Sequence, residues 1–259
     1  MLTLQTYKPV YLPHIIKSCW HLKIENELVE DIFPDGHHEI IFNTNGAKRT
    51  ANNDWINEPT SFIAGQTSRS YSLVLKPGSE LYGIRFYPHT CLFDFPAHYS
   101  TDTIIQLSDI AGGKQLQNCI TKDPLQTFHN FETTLIKYLK TPPEKFRYIN
   151  YAVNNILQTH GDLRIDQLLT DTGISSKYLD TLFKDYVGLG PKSFSNIIRL
   201  NYFINYRNSH PRKNLTECVY EAGFFDQSHL INNFRTITGK SPKAYFQNNN
   251  SINDQFINL

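Results

Sequence analysis

"GFFDQSHLINNFRTITGKSPKAYF", residues Gly223 to Phe246, is the stretch whose reading decides the fold. Asp226 stands where a side-chain oxygen can take up a free N–H at the start of a helix. Leu230 and Phe234, four positions apart, share one helical face and turn it inward. Gly239 and Pro242 follow, as Gly188 and Pro191 do in a second, matching stretch upstream. The opposite face carries Gln227, Ser228, Ile231, Asn232 and Arg235, a mostly polar set that needs no core.

The pattern recurs about fifty residues upstream, in "IDQLLTDTGISSKYLDTLFKDYVGLGPKSF" from Ile165. Gly173 there matches Gly223; after one extra residue in the second copy, Ser175 matches Asp226, Leu179 matches Leu230 and Phe183 matches Phe234. Each copy reads as a short helix, a glycine turn and a capped second helix, a helix-turn-helix whose second helix can enter a DNA major groove. The outer face of the first copy carries Ser176, Lys177, Asp180, Thr181 and Lys184. Two helical hairpins packed on each other would share the apolar spacing, but the outer faces favour DNA. Asn or Gln can bond adenine bidentately and Lys can reach guanine, while Lys184 and Arg235 suit phosphates. Asp180 either accepts from a cytosine amino group or orients Lys177 or Lys184. Charge agrees: residues 147–247 hold 12 basic against 8 acidic side chains, residues 1–146 hold 13 against 15.

Residues from about Ile165 to Phe246 resemble the DNA-binding domain of AraC/XylS-type transcription regulators. Gly223, Phe224, Asp226, Ser228, Phe234, Gly239, Ser241, Pro242 and Tyr245 fall on that family's signature. The resemblance implies a long helix, here "PKSFSNIIRLNYFINYRNS", joining two units that read successive major grooves. Gly190 stands where the family usually has Ser, and Asn and Tyr replace Ala and Leu along this helix. Base-reading positions carried over are Lys177, Asp180 and Thr181, then Gln227, Ser228 and Asn232. Double-stranded promoter or operator DNA is the implied partner. A small-molecule effector, a second copy of the chain and RNA polymerase are further candidate partners, with no cofactor and no membrane.

The first half differs. "SCWHLKI", "EIIFN", "SFIAG", "YSLVL" and "LYGIRF" are short alternating or apolar runs between Gly, Pro and Asn turns, and read as β structure. "GGKQLQNCI" and "DPLQTFHNFETTLIKYLK" read as helices, the second with Leu125, Phe128, Leu135, Ile136 and Leu139 along one side. A helix beginning in "PPEKFRYINYAVNNILQTH" follows a proline pair suited to a hinge. The expected fold class is therefore α+β. It comprises a β-rich, barrel or cupin-like unit with trailing helices over 1–140, an all-α double helix-turn-helix over 141–247, and a polar tail over 248–259. "FPDGHHEIIFNTNG", "GQTSRS" and "LYGIRFYP" resemble the less characterised sensor-like domain that precedes the repeat in one branch of the family. That resemblance implies effector sensing or dimerisation and supplies no ligand.

"FPDGHHEIIF", Phe33 to Phe42, has the look of an active site. On a strand, neighbours point to opposite faces, so His37 and His38 cannot share a metal without a bulge. His14, His21, His89 and His98 offer no spacing that completes a site, so no metal is expected. Glu39 and Arg85 each interrupt an apolar strand and require partners if buried. Either they pair with each other or backbone, or one lines an effector pocket with Trp20; His37 belongs to the same candidate set. The four cysteines, Cys19, Cys91, Cys119 and Cys218, match no disulfide or metal spacing and read as buried thiols. With no export signal or spanning segment, a cytoplasmic location is expected. An enzyme, such as a cupin-like metalloenzyme or an alkyl-transfer repair protein with a borrowed repeat, is the competing class. No phosphate loop, Cys-metal cluster or nucleophile elbow supports it, so no enzymatic activity is expected. A DNA-binding dimer that senses nothing is the third reading.

Overall fold

The computed structural model describes residues 2–51, 54–89, 101–247, 252 and 256. Cys91, His98 and most of the polar tail lie outside the described residues. Among the described residues ten strands form two antiparallel sheets. They are β1 (Leu2–Tyr7), β2 (Ile16–Ile24), β3 (Leu28–Ile32), β4 (His38–Asn43), β5 (Ala47–Ala51), β6 (Asp54–Asn57), β7 (Ser61–Ala64), β8 (Tyr71–Leu75), β9 (Glu80–Phe86) and β10 (Ile104–Gln106). The order is β1-β2-β9-β4-β7-β10 in the six-stranded sheet and β3-β8-β5-β6 in the four-stranded one.

Strand alternation assigns each residue of the six-stranded sheet to one of two cores. Ile40 and Phe42 of β4, with Ile16, Ile84 and Phe86, face two helices, α1 (Gly113–Gln117) and α2 (Pro124–Leu135). Trp20, Leu22, Ile24 and Leu81 face the four-stranded sheet and meet Ala47, Leu73 and Leu75. Three layers result, helices on one side and the smaller sheet on the other. The α2 stripe differs from expectation: Phe128, Phe131 and Leu135 are buried, whereas Leu125 and Ile136 are 62% and 44% exposed. Asp123 caps the helix at Leu125 N–H and fixes its rotation, and the chain tightens into a 3-10 turn at Ile136–Tyr138. Glu132, buried in that stripe, accepts the N–H groups of Val10, Tyr11 and Leu12 at 2.7–3.0 Å.

The second half is helical throughout: α3 (Phe146–Gln158), α4 (Ile165–Thr172), α5 (Ser176–Tyr186), α6 (Pro191–Ser209), α7 (Leu215–Glu221), α8 (Gln227–Thr238) and α9 (Pro242–Gln247). Ser175 caps α5 at Tyr178 N–H and Asp226 caps α8 at His229 N–H, as the sequence signals require. Asn214 and Glu217 close a reciprocal capping box on α7. Leu179, Phe183, Leu230 and Phe234 are fully buried around Phe194 and Phe203 of α6, the helix that joins the two units. Ser195 and Arg199 of α6 both donate to the carbonyl of Gly161. Gly161 has φ +77°, and a Cβ there would collide with the α6 backbone at Ser195, so α3 and α6 meet with no side chain between them. Among the described residues no helix is long and apolar enough to cross a membrane.

Candidate functional site

The outer faces of α5 and α8 are open. Ser176, Lys177, Thr181 and Lys184 on α5, and Gln227, Ser228, Asn232 and Arg235 on α8, are exposed, while Asp180 and Ile231 are half-buried at the helix margins. Asp180 holds Lys184 at 2.8 Å, one turn away, so within the protein its carboxylate orients a cation. Gln227 donates to Thr216 Oγ1 at 2.6 Å, which ties the start of α8 to α7. Asn232 borders a cleft with Ser193 and Asn196 of α6 and with Ser68 and Arg69 from the β half. Sequence reasoning had no route to Arg69, since nothing local links it to a helix 160 residues later.

The second site lies between the two sheets. A cavity there is lined by Trp20, Phe33, Asp35, Glu39, Tyr71 and Arg85, closed by Leu73, Leu75 and Leu81. Arg85 is 1% exposed. Its Nε donates to Glu39 Oε1 at 2.7 Å, its Nη2 to Asp35 Oδ2 at 2.6 Å and its Nη1 to the carbonyl of Phe256 at 2.8 Å. Trp20 Nε1 donates to the same Glu39 oxygen at 3.0 Å, and Gly83, opposite Trp20 in the ladder, leaves the room its indole fills. Glu39 and Arg85 thus pair with each other and also line this cavity with Trp20. Burial works to raise the Asp35 carboxyl, but the Arg85 guanidinium and His37 together hold it below the usual carboxylate range. Glu39 goes the other way: burial and the neighbouring Asp35 raise it against the pull of Arg85.

His37 is the exception in the candidate set, for it does not line the cavity. Its ring lies behind Asp35, whose carbonyl is 3.1 Å from Nδ1, and its Nε2 is 3.2 Å from Lys17 Nζ. Burial pushes His37 down to about 4, with Lys17 and Arg85 adding to the effect, and pushes His38 down to about 4 as well. Burial and Arg85 lower Lys17 to about 8. Among the described residues no three His, Cys, Asp or Glu side chains converge to hold a metal. Cys19, Cys119 and Cys218 are free and buried. Asp35 was missed as a site residue because "PDG" reads as a turn, and a turn residue is ordinarily exposed.

That turn also carries one of the contacts between the halves. Gly36, at φ +84°, lies on α6 so closely that a Cβ would come within 2.9 Å of Ile198 and 3.2 Å of Phe194. Asn201 of α6 donates to Pro34 O at 3.2 Å, and Phe33 packs on Tyr245 of α9 at 5.1 Å between centroids. The same four-residue turn therefore touches Arg85 on one side and the joining helix on the other.

Paired helix-turn-helix units with open polar recognition faces, joined by one buried helix, define the class of DNA-binding transcription regulators. Residues 168–248 match the family model "Helix-turn-helix domain", and residues 6–106 match "Domain of unknown function (DUF6597)". The chain carries an AraC-type helix-turn-helix domain in its second half, behind that N-terminal domain. Family and fold point to a transcription regulator rather than an enzyme. No curated protein matches the chain significantly. Among solved structures, an apo ToxT variant from Vibrio cholerae is 12% identical over 95% of this chain and 97% of that one, with TM-score 0.49. Unsaturated fatty acid-bound ToxT from Vibrio cholerae is 14% identical over 94% of each chain, with TM-score 0.45. The AraC-like transcriptional activator CuxR is 12% identical over 86% of this chain and 91% of that one, with TM-score 0.30.

Proposed function

We propose that the protein is a sequence-specific DNA-binding transcription regulator whose residues 141–247 read DNA and whose residues 1–140 bind a small-molecule effector. Lys177, Thr181, Ser228 and Asn232 read base edges, while Lys184 and Arg235 hold phosphates. Asp180 serves as the positioning residue for Lys184. The observation that carries the effector part is the double role of the "FPDG" turn, which bonds the buried Arg85 through Asp35 and packs on α6 through Gly36. A ligand that draws on Arg85 changes the hold on that turn, and the turn abuts the helix that sets the two units relative to each other. Cytoplasmic location follows from this role, since the operator is there.

The test is selection of bound fragments from a genomic DNA library with the intact chain, repeated with Asn232→Ala and with Arg85→Met. A recovered bipartite motif, blurred at one half by the first change and bound with altered affinity by the second, is expected. Recovery of no motif would refute DNA reading. An unaltered motif and affinity with Arg85→Met would refute the link from pocket to DNA.

A further inference from the structure

The cavity beside Arg85 is occupied by the protein itself. Ile252 and Phe256, five and nine residues beyond the end of α9, are 6% and 9% exposed and belong to the core between the two sheets. Both are helical, and both pack into that same core. The Phe256 ring meets Trp20 edge-on at 4.9 Å and 85°, and the Arg85 guanidinium lies 5.0 Å above it. Its carbonyl takes Arg85 Nη1, and Ile252 N–H donates to the buried Glu30 carboxylate at 2.8 Å.

With these two residues in place the space left is about 80 Å³. Small-molecule sites run to roughly 300–1,000 Å³. A ligand of that size needs more room, and taking the place of Phe256 or Ile252 would supply it. Phe256 also states what chemistry the place accepts. Two guanidinium nitrogens already face carboxylates, Asp35 and Glu39, and the third donates to an uncharged carbonyl. A carboxylate ligand would bring a third negative group to one cation, whereas a neutral acceptor repeats the contact seen.

We infer that Ile252 and Phe256 form an internal ligand that competes with the effector, and that the effector is an uncharged, ring-bearing compound with a carbonyl acceptor. This rests on the effector reading of the same pocket. The ring takes the position of Phe256 between Trp20 and Arg85, and the carbonyl accepts from Arg85 Nη1. Because Ile252 follows α9 so closely, displacing it also releases a tie between the second helix-turn-helix unit and the β half. Competition of this kind is strong: a tether this short gives an effective concentration on the order of 1 mM, so a segment with a separate-chain Kd of about 10 µM would weaken an outside ligand about 100-fold.

The probes are a fluorescent peptide of sequence NNNSINDQFINL, copied from residues 248–259, N-acetyl-phenylalanine amide and its anionic counterpart N-acetyl-phenylalanine. The full chain is compared with Ile252→Ala/Phe256→Ala and with Phe256→Leu, which keeps most of the volume should the double variant fail to fold. The peptide is expected to bind the double variant at least tenfold more tightly than the native chain, with Phe256→Leu between them. The neutral amide should displace it at a tenfold lower concentration than the anion. Equal peptide binding by native chain and variants, or none by any, overturns the internal-ligand inference, and stronger displacement by the anion overturns the ligand class. Peptide binding that leaves operator affinity unchanged would instead refute the effector reading while the internal ligand stands.

Discussion

Replacing Asp35 with Asn tests the turn that joins pocket to helix. Asp35 accepts Arg85 Nη2 at 2.6 Å and His37 N–H at 3.0 Å. Asn keeps an acceptor for one of these and forfeits the charge facing the other. Breaking a buried pair by removing one partner costs about 3–5 kcal/mol. Here Glu39 remains on Arg85 at 2.7 Å, and the Asp35 side chain is 25% exposed, so the lower part of that range or less applies. We expect about 2–3 kcal/mol, which for a chain of this size lowers Tm by about 5–10 °C. The partner change, Arg85→Met, strands two carboxylates and should cost more, and the double variant should show a favourable coupling of at least about 1 kcal/mol. Urea and thermal unfolding followed by far-UV circular dichroism measure all three. A Tm within 1 °C of the native value for Asp35→Asn, with additive single effects, would show that the ion pair does not hold the turn.

Four further outcomes follow from named residues. Gly36→Ala should destabilise by about 1–3 kcal/mol, because an L side chain at φ +84° is strained and its Cβ meets Ile198; equilibrium unfolding and operator affinity would both register the change. Asn232→Ala should relax preference at one or two base pairs at a cost of about 1–3 kcal/mol. Arg235→Ala should weaken all sequences alike and lower the salt slope by about one, both read in competition binding at two salt concentrations. Stability should fall as pH falls from about 6.5 to 4, since unfolded histidines take up protons in that window while buried His37 and His38, held down to about 4, do not. The sign is fixed: the unfolded state binds more protons, so acid favours it, by about 3 kcal/mol for each of the two histidines across the window. Urea midpoints at pH 7 and 5 check this, and His37→Gln should flatten the difference.

The strands visible in the sequence were β2, β4, β7, β8 and β9, and all five lie inside their sheets. Interior strands are covered on both edges and bury Val, Ile, Leu and Phe, which is the signal that periodicity reads. Four of the five that gave no signal, β1, β3, β6 and β10, are edge strands. β6, "DWIN", is wholly exposed and β3, "LVEDI", holds two carboxylates. The fifth, β5, is interior but contributes Arg49, buried over Tyr71, where an apolar residue would have announced it. The helix-turn-helix pair was legible because caps, turn glycines and core spacing are all local. The pocket was half legible: an acid and a base in apolar strands betray themselves, but Asp35 hides in a turn and Phe256 in a polar tail. Only long-range folding brings Phe256 to a residue 171 positions away.

The contacts between the halves set how much an effector must achieve. Beyond the "FPDG" turn, Ser70 accepts no help from charge: its N–H and Oγ donate to Ile237 O and Thr238 O at the end of α8. Lys240 reaches Asp31 at 2.6 Å, a pair about 30% exposed on each side and therefore worth little. The first unit is held by Thr101 Oγ1 on Gly188 O at 2.6 Å and by His89 beside Asn150 at 2.9 Å. Both recognition helices are thus positioned by the sheets as well as by α6. Reversing a strongly biased arrangement takes about 5.5 kcal/mol of differential affinity, several times the net worth of one hydrogen bond. A ligand that merely touched Arg85 would fall short. One that displaced Phe256 would remove the burial of a large aromatic ring, about 2–3 kcal/mol, together with the Arg85 and Glu30 bonds on the same segment. On the proposed effector reading, it is therefore the exchange of a whole side chain and its tether, and not a touch on Arg85, that would move the second unit away from the sheets.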